Sequence, residues 1–215
     1  GSIVVLPVSG AVSEAQFFFL RRVLKNAESA KAAALILDMD TPGGDLKVTE
    51  KIVQMLGKSP IPTYTYVNTN AGSAGALIAL GTKKIFMSPV SAIGAAAPVA
   101  GSGQEIPVTM NAKIVSYYSG YFRSVAQKNG YHAELVDGFM NLDKEVKIGS
   151  EIINPKGSLL TLSAQEATRF IGDRSLLASG IAKDVSDVVT QCGLYPDKLV
   201  LTKPSGFENL AQWIT

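Results

Sequence analysis

Apolar positions along the first ninety residues follow two alternating rhythms. "IVVLPVSG" (3–10) is a β-branched run closed by Ser9-Gly10, which predicts a strand. "SEAQFFFLRRVLKNAESA" (13–30) carries apolar residues at helical spacing, with Ser13 placed to cap. "AAALILDMD" (32–40) is a short unbroken apolar run, the pattern of a parallel strand buried on both faces, and "TPGG" breaks it. In "DLKVTEKIVQMLGKS" (45–59), Val48, Ile52, Val53 and Leu56 share one helical face, and Gly57 lies near the end. "IPTYTYVN" predicts a third strand, "NTNAGSAGALIALG" turns into a third helix, and "KKIFMSP" predicts a fourth strand. Alternation of this kind implies right-handed crossovers and a mainly parallel sheet with helices packed on it.

Beyond residue 90 the pattern loosens. "VSAIGAAAPVAGSGQEIPVTM" is rich in Gly, Ala and Pro and predicts a loop, its part from Ala97 to Met110 a mobile lid. "AKIVSYYSGYFRSVAQKNG" (112–130) is a long amphipathic helix with Ile114, Tyr118, Tyr121, Phe122 and Val125 on one side. "EVKIGSEIINPKGSLLTL" suggests a hairpin turning at Asn154 to Gly157. Ser163 and Glu166 have the spacing of a capping box, and so do Ser205 and Glu208 in a C-terminal piece that reads as an appendage. The expected division is a catalytic-type domain over residues 1–190 and an extension over 191–215.

Composition narrows the class. A chain of 215 residues can bury a full core, and 47% hydrophobic against 18% charged residues is globular. A net charge of +2 gives no electrostatic reason to expect nucleic acid as a partner. The single cysteine, Cys192, forbids an internal disulfide, and no apolar run reaches membrane-spanning length. Gly1-Ser2 reads as a cloning remnant ahead of the first strand.

Three segments converge if the sheet is parallel, because ligand sites gather at the carboxyl ends of such strands. "DTPGG" ends the second strand and "NTNAGSAG" ends the third, which sets Ser73 where strand becomes helix. The small residues around it serve either tight helix packing or access to a hydroxyl. In the second case Gly43, Gly44 and Ala74 supply backbone N–H groups for an oxyanion hole, beside a serine nucleophile. The base is then the open question. His132, the only histidine, falls at a helix junction expected to be solvated, which disfavours a Ser-His-Asp triad. A lysine serves as base when apolar burial favours its neutral form. Lys113, at the start of the long helix, fits best; Lys83 and Lys84, in a turn, fit less well. Asp38 and Asp40 lack the companions of a metal site, and no cofactor or metal is expected.

"LILDMDTPGGDL", "AGSAGALIALGTKKIFMSPVSAIGAAAPV", "AKIVSYYSGYFRSVAQKNGYHAE" and "GSLLTLSAQEA" together resemble, in this order, the ClpP-class serine protease domain of NfeD-type membrane proteins, the partners of stomatin-like proteins. The resemblance runs from Ile3 to about Asp187. It implies an α/β fold of the crotonase/ClpP-like ββα spiral type, Ser73 as nucleophile, Lys113 as base 40 residues on, and the TPGG glycines in the oxyanion hole. ClpP itself places a histidine in the region that here reads "GAAAPVAG", so the resemblance implies a Ser-Lys dyad instead. Close relatives often carry a histidine before the "PV" of this loop, where this chain has Ala97. The resemblance further implies a membrane-associated whole protein, this domain extracytoplasmic and this fragment soluble, with "ENLAQWIT" leading toward the membrane. The expected activity is cleavage of extended apolar segments, including the tail of a stomatin-like protein, by a homodimer or higher homo-oligomer. The other readings are a crotonase-type acyl-CoA enzyme, for which no well-placed carboxylate is found, and a non-catalytic scaffold in a membrane complex.

Overall fold

The computed structural model describes residues 1–99, 105–195 and 198–204, and the backbone of 212–214. The first half alternates as the pattern predicts: β1 (Ile3–Ser9), α1 (Glu14–Ser29), β2 (Ala34–Thr41), α2 (Leu46–Gly57), β3 (Thr63–Gly72), α3 (Ala74–Leu80) and β4 (Lys84–Met87). The second half is more broken: β5 (Ala92–Gly94), α4 (Val108–Lys128), α5 (Glu134–Met140), β6 (Val146–Ile148), β7 (Glu151–Asn154), β8 (Thr161–Ser163), α6 (Ala164–Thr168), β9 (Phe170–Ile171), β10 (Arg174–Ser175), β11 (Gly180–Ile181), α7 (Val185–Gln191), β12 (Leu199–Leu201) and β13 (Gln212–Ile214).

The main sheet runs β11-β4-β3-β2-β1-β12-β13, with β5 beside the end of β3 and β8 beside β5, and its pairings are parallel except β12 with β13 and β5 with β8. Both faces of its central strands are covered. Val4, Leu6 and Val8 of β1 and Leu35, Leu37 and Met39 of β2 join the large apolar cluster under the helices. Their alternates Ile3, Val5, Ala34 and Ile36 join a smaller cluster with Tyr66, Phe86, Val188 and Val189, covered by α7. Burial on both sides is why these strands read as unbroken apolar runs. This is the mixed α/β architecture, with a mainly parallel central sheet, that the motifs implied.

Helix caps fall where the sequence offers them. Ser13 Oγ accepts from Gln16 N, Asp45 Oδ1 accepts from Val48 N at 2.8 Å, and Ser163 with Glu166 forms the full capping box. In α2, Val48, Ile52, Val53 and Leu56 are all buried. Each such side chain contributes about 1.5–3 kcal/mol, so packing rather than propensity holds this short helix.

Two segments differ from the expectation. Within the predicted loop after residue 90, β5 pairs with the end of β3 and with β8, and α4 starts at Val108 rather than Ala112. The lid expected over Ala97–Met110 falls partly on residues 100–104, outside the described residues. The hairpin β6–β7 turns at Gly149-Ser150, where Gly149 has φ +60°, not at Asn154–Gly157. The latter is a second turn, closed by Asn154 Nδ2 donating to Ser158 O at 2.7 Å. It sends the chain on to β8, because Leu160 and Leu162 are needed in the core. Past residue 191, β12 pairs with β1. The capping box expected at Ser205–Glu208 lies outside the described residues.

Candidate active site

The site is built where β2 and β3 end side by side. Their register shifts between Met39 and Thr41, and Thr41 then faces Ala71. The shift brings the two chain ends together. Gly43 lies against Ser73 so closely that a Cβ on it would stand 2.6 Å from Ser73 Cβ and 3.0 Å from its hydroxyl. Its φ of +119° excludes other residues independently. Gly44 is pinned from the other side, since Val12 N donates to Gly43 O at 2.9 Å and Asp45 N donates to Val12 O at 3.1 Å. Thr41, fully buried, ties the turn together. Its hydroxyl donates to Gly10 O at 2.5 Å and accepts from Gly43 N at 3.2 Å. The sequence reading missed Thr41; a threonine before Pro-Gly-Gly at a buried strand end was the available signal.

The N–H of Gly43 donates to Thr41 Oγ1, and the lack of a side chain on Gly43 is what lets Ser73 lie against it. Among the described residues, the N–H groups of Gly44 and Ala74 have no protein acceptor, and both residues line the cavity described below.

Ser73 adopts φ +54° and ψ −118°, a conformation an L-residue holds only when its surroundings impose it, at about 1–3 kcal/mol. Two bonds impose it: Ser73 N donates to Gly94 O at 2.8 Å, and Ser73 O accepts from Ala76 N at 3.0 Å. The hydroxyl makes no capping bond to α3. A serine on a sharp strand-to-helix turn, with its side chain partly exposed, has the form of a nucleophile elbow. The small-residue cluster packs tightly at one position and borders a cavity at another. At Gly75 a methyl would come within 2.6 Å of Thr41 Cγ2, so that position serves packing. Ser73 faces a cavity of about 780 Å³.

The cavity wall is mostly apolar: Leu46, Leu77, Ala96, Val99, Ile106 and Ile114 among others, with Tyr118. Burial, then Glu50, raises the Tyr118 pKa, so its hydroxyl stays neutral. Among the described residues two charged ones line it, Asp45 and Lys47, and Asp45 Oδ1 already caps α2.

The candidate bases lie elsewhere. Lys113 is exposed on the second turn of α4, next to Ile114 of the cavity wall but not itself in that wall. The apolar enclosure expected around it is not supplied by the described residues. Lys83 and Lys84 are exposed and away from the cavity. His132 is not solvated as expected but 7% exposed, packed between α4 and α5. Its Nδ1 lies 3.1 Å from Arg174 Nη2, and Arg174 also donates to Gly130 O. Desolvation, then the Arg174 charge, lowers its pKa. It is buried and does not line the Ser73 cavity. Asp38 shares the alternation of Ala34 and Ile36, hence the opposite sheet face from Leu37 and Met39. Among the described residues no three His, Cys, Asp or Glu side chains cluster to hold a metal.

Chemically, a hydroxyl in an apolar cavity beside two uncommitted N–H groups suits attack on a carbonyl with the resulting oxyanion held by the backbone. Comparison with known proteins agrees with the architecture. The chain is 34% identical over 214 residues to membrane protein NfeD1b of Bacillus subtilis (strain 168), covering all of this chain and 46% of that protein. It is 34% identical over 145 residues to membrane-bound protease PH1510 of Pyrococcus horikoshii, covering 66% of this chain and 33% of the other. The chain thus spans less than half the length of either relative. Among solved structures, a lysine-to-alanine variant of the 1510-N membrane-bound stomatin-specific protease, in complex with a substrate peptide, superposes with TM-score 0.71 at 26% identity, covering 97% of this chain and 86% of the other. ClpP1 from Listeria monocytogenes shares the fold at TM-score 0.60 and 14% identity, covering 85% of this chain and 92% of the other. Among the described residues no helix is long and apolar enough to cross a membrane. The model of the NfeD1b N-terminal domain matches residues 2–200, and the chain belongs to that family.

Proposed function

We propose that this domain is a serine endopeptidase with a Ser73–Lys113 dyad. Lys113 takes the hydroxyl proton as Ser73 Oγ attacks the peptide carbonyl. The N–H groups of Gly44 and Ala74 hold the oxyanion. Lys113 returns the proton to the leaving amine, and water then hydrolyses the acyl-enzyme. The observation that carries this reading is the turn at Ser73, with φ +54° and ψ −118°, facing an apolar cavity beside two uncommitted N–H groups. The relative's names add support: serine-to-alanine and lysine-to-alanine variants of a stomatin-specific protease were both made, the second with a substrate peptide bound. Substrates are extended apolar segments matching the cavity wall, and the tail of a stomatin-like protein is the natural candidate.

Because Lys113 is exposed in the single chain, the dyad needs an enclosure from outside the described residues. A second subunit against the start of α4 supplies one, so the active form is a homodimer or higher homo-oligomer. In the whole protein the domain is membrane-associated and extracytoplasmic. The test is a fluorophosphonate label followed by peptide mapping. Labelling confined to Ser73 and absent in Ser73→Ala is the expected result; labelling that persists in Ser73→Ala overturns the reading.

A further inference from the structure

Among the described residues lining the Ser73 cavity, Asp45 and Lys47 are the two that carry charge. They are not equivalent. Asp45 Oδ1 accepts from Val48 N at 2.8 Å, so its carboxylate is fixed as the cap of α2. Lys47 makes no ion pair or hydrogen bond to a described residue. It stands two residues past the cap, exposed, on a mostly apolar wall. Tyr118, half-buried in the same wall, offers a phenolic O–H with no protein acceptor among the described residues. Among the described residues the cavity therefore presents an unpaired ammonium and a neutral O–H donor, beside one carboxylate, Asp45, whose Oδ1 is held by the α2 cap.

We propose that Lys47 is a specificity-determining residue that recognises a carboxylate on the substrate. It does so outside the apolar residues that fill the cavity, with Tyr118 as a second donor. This rests on the reading of the cavity as a substrate site, and it is a statement about selection, not chemistry. The carboxylate comes either from an Asp or Glu side chain flanking an apolar stretch or from a free chain terminus. Both present the same charged oxygens to Lys47, and direct binding separates them.

The experiment uses the Ser73→Ala chain, which binds without turnover, and fluorescent peptides with one apolar core. Their flank carries Glu, Gln or Lys, each with a free or an amidated C-terminus. An exposed ion pair is worth up to about 1 kcal/mol, so the Glu peptide should bind about threefold tighter than the Gln peptide at low salt. The preference should shrink at 0.5 M salt. It should persist in Lys47→Arg, vanish in Lys47→Met and pass to the Lys peptide in Lys47→Glu. If the terminus is the source, the preference follows the free acid and not the flank. Equal binding of all charge forms overturns the proposal, and so does a Glu preference that survives in Lys47→Met. Failure of the protease reading is distinguishable. In that case peptides bind with the charge preference while the parent chain takes no acyl label at Ser73.

Discussion

The two halves of the proposed dyad sit in opposite surroundings. Ser73 is held by Gly94 O and Ala76 N, pressed by Gly43, and backed by a helix whose residues are all buried. Lys113 stands exposed on the second turn of α4, whose first residues Val108 and Met110 are 88% and 55% exposed. The proposed nucleophile and oxyanion donors are thus held in place by one chain, while the proposed base is not enclosed by the described residues. Holding the serine turn costs about 1–3 kcal/mol, which only a packed junction can offset. Positioning a lysine costs little until its charge must be removed, so that step can be left to assembly or to substrate.

The sharpest way to break this contrast is to delete each half. Ser73→Ala and Lys113→Ala should each lower peptide cleavage by roughly four orders of magnitude or more, as for residues acting as a unit. Both should melt within about 0.5 kcal/mol of the parent, because neither side chain holds the fold. A Lys113→Ala chain that keeps full turnover, measured with a quenched apolar peptide, would sink the dyad.

Next comes the finished half itself. Gly43→Ala forces a methyl to 2.6 Å from Ser73 Cβ in a backbone conformation unsuited to alanine. Acyl labelling should fall by at least about a hundredfold, and stability by about 1–3 kcal/mol, or several degrees in Tm by calorimetry. Normal labelling in this variant would show that the Gly43–Ser73 contact does not define the site.

The unfinished half is probed through α4. Tyr118, Tyr121 and Phe122 pack against the core, while Tyr117 is 60% exposed. Tyr117→Asp should leave Tm nearly unchanged but shift light scattering toward monomer, with activity lost in proportion. A parent chain that is monomeric and fully active at micromolar concentration would instead show that one chain completes its own site.

The smallest effect concerns pH. His132 is buried beside Arg174, and its folded pKa is lowered, so the unfolded chain binds the proton more readily. Its contribution to stability is therefore full above the ordinary histidine pKa, near 6.5, and is lost as pH falls through it toward the lower folded value. Glu134 and Asp173, whose charges oppose the shift, limit the effect. Tm compared at pH 8 and pH 5 should fall less in His132→Gln than in the parent.

Much of this was legible in the chain. Alternating strand and helix periods placed β1 to β4 and α1 to α3, because burial on both sheet faces or on one helix stripe writes itself into residue order. Ser13, Asp45, Ser163 and Glu166 announced helix starts through local bonds only a few residues long. The second half was harder to read. Gly149 and Gly157 both offered turns, and which one closed the hairpin depended on where Leu160 and Leu162 had to go. His132 looked solvated because a lone histidine between helices carries no local sign of the Arg174 that covers it.

By itself, then, the sequence determined the periodic elements, their caps, and the segments that meet at the strand ends, since these follow from contacts within a few residues. Only the tertiary structure decided the rest. The β2–β3 register shift set Gly43 against Ser73, and Gly43 N came to donate to the Thr41 hydroxyl. Folding likewise brought Lys47 into the cavity wall and left Lys113 outside it. Register, hydrogen-bond commitment and burial each depend on partners far away in the chain, and no local pattern of residues encodes them.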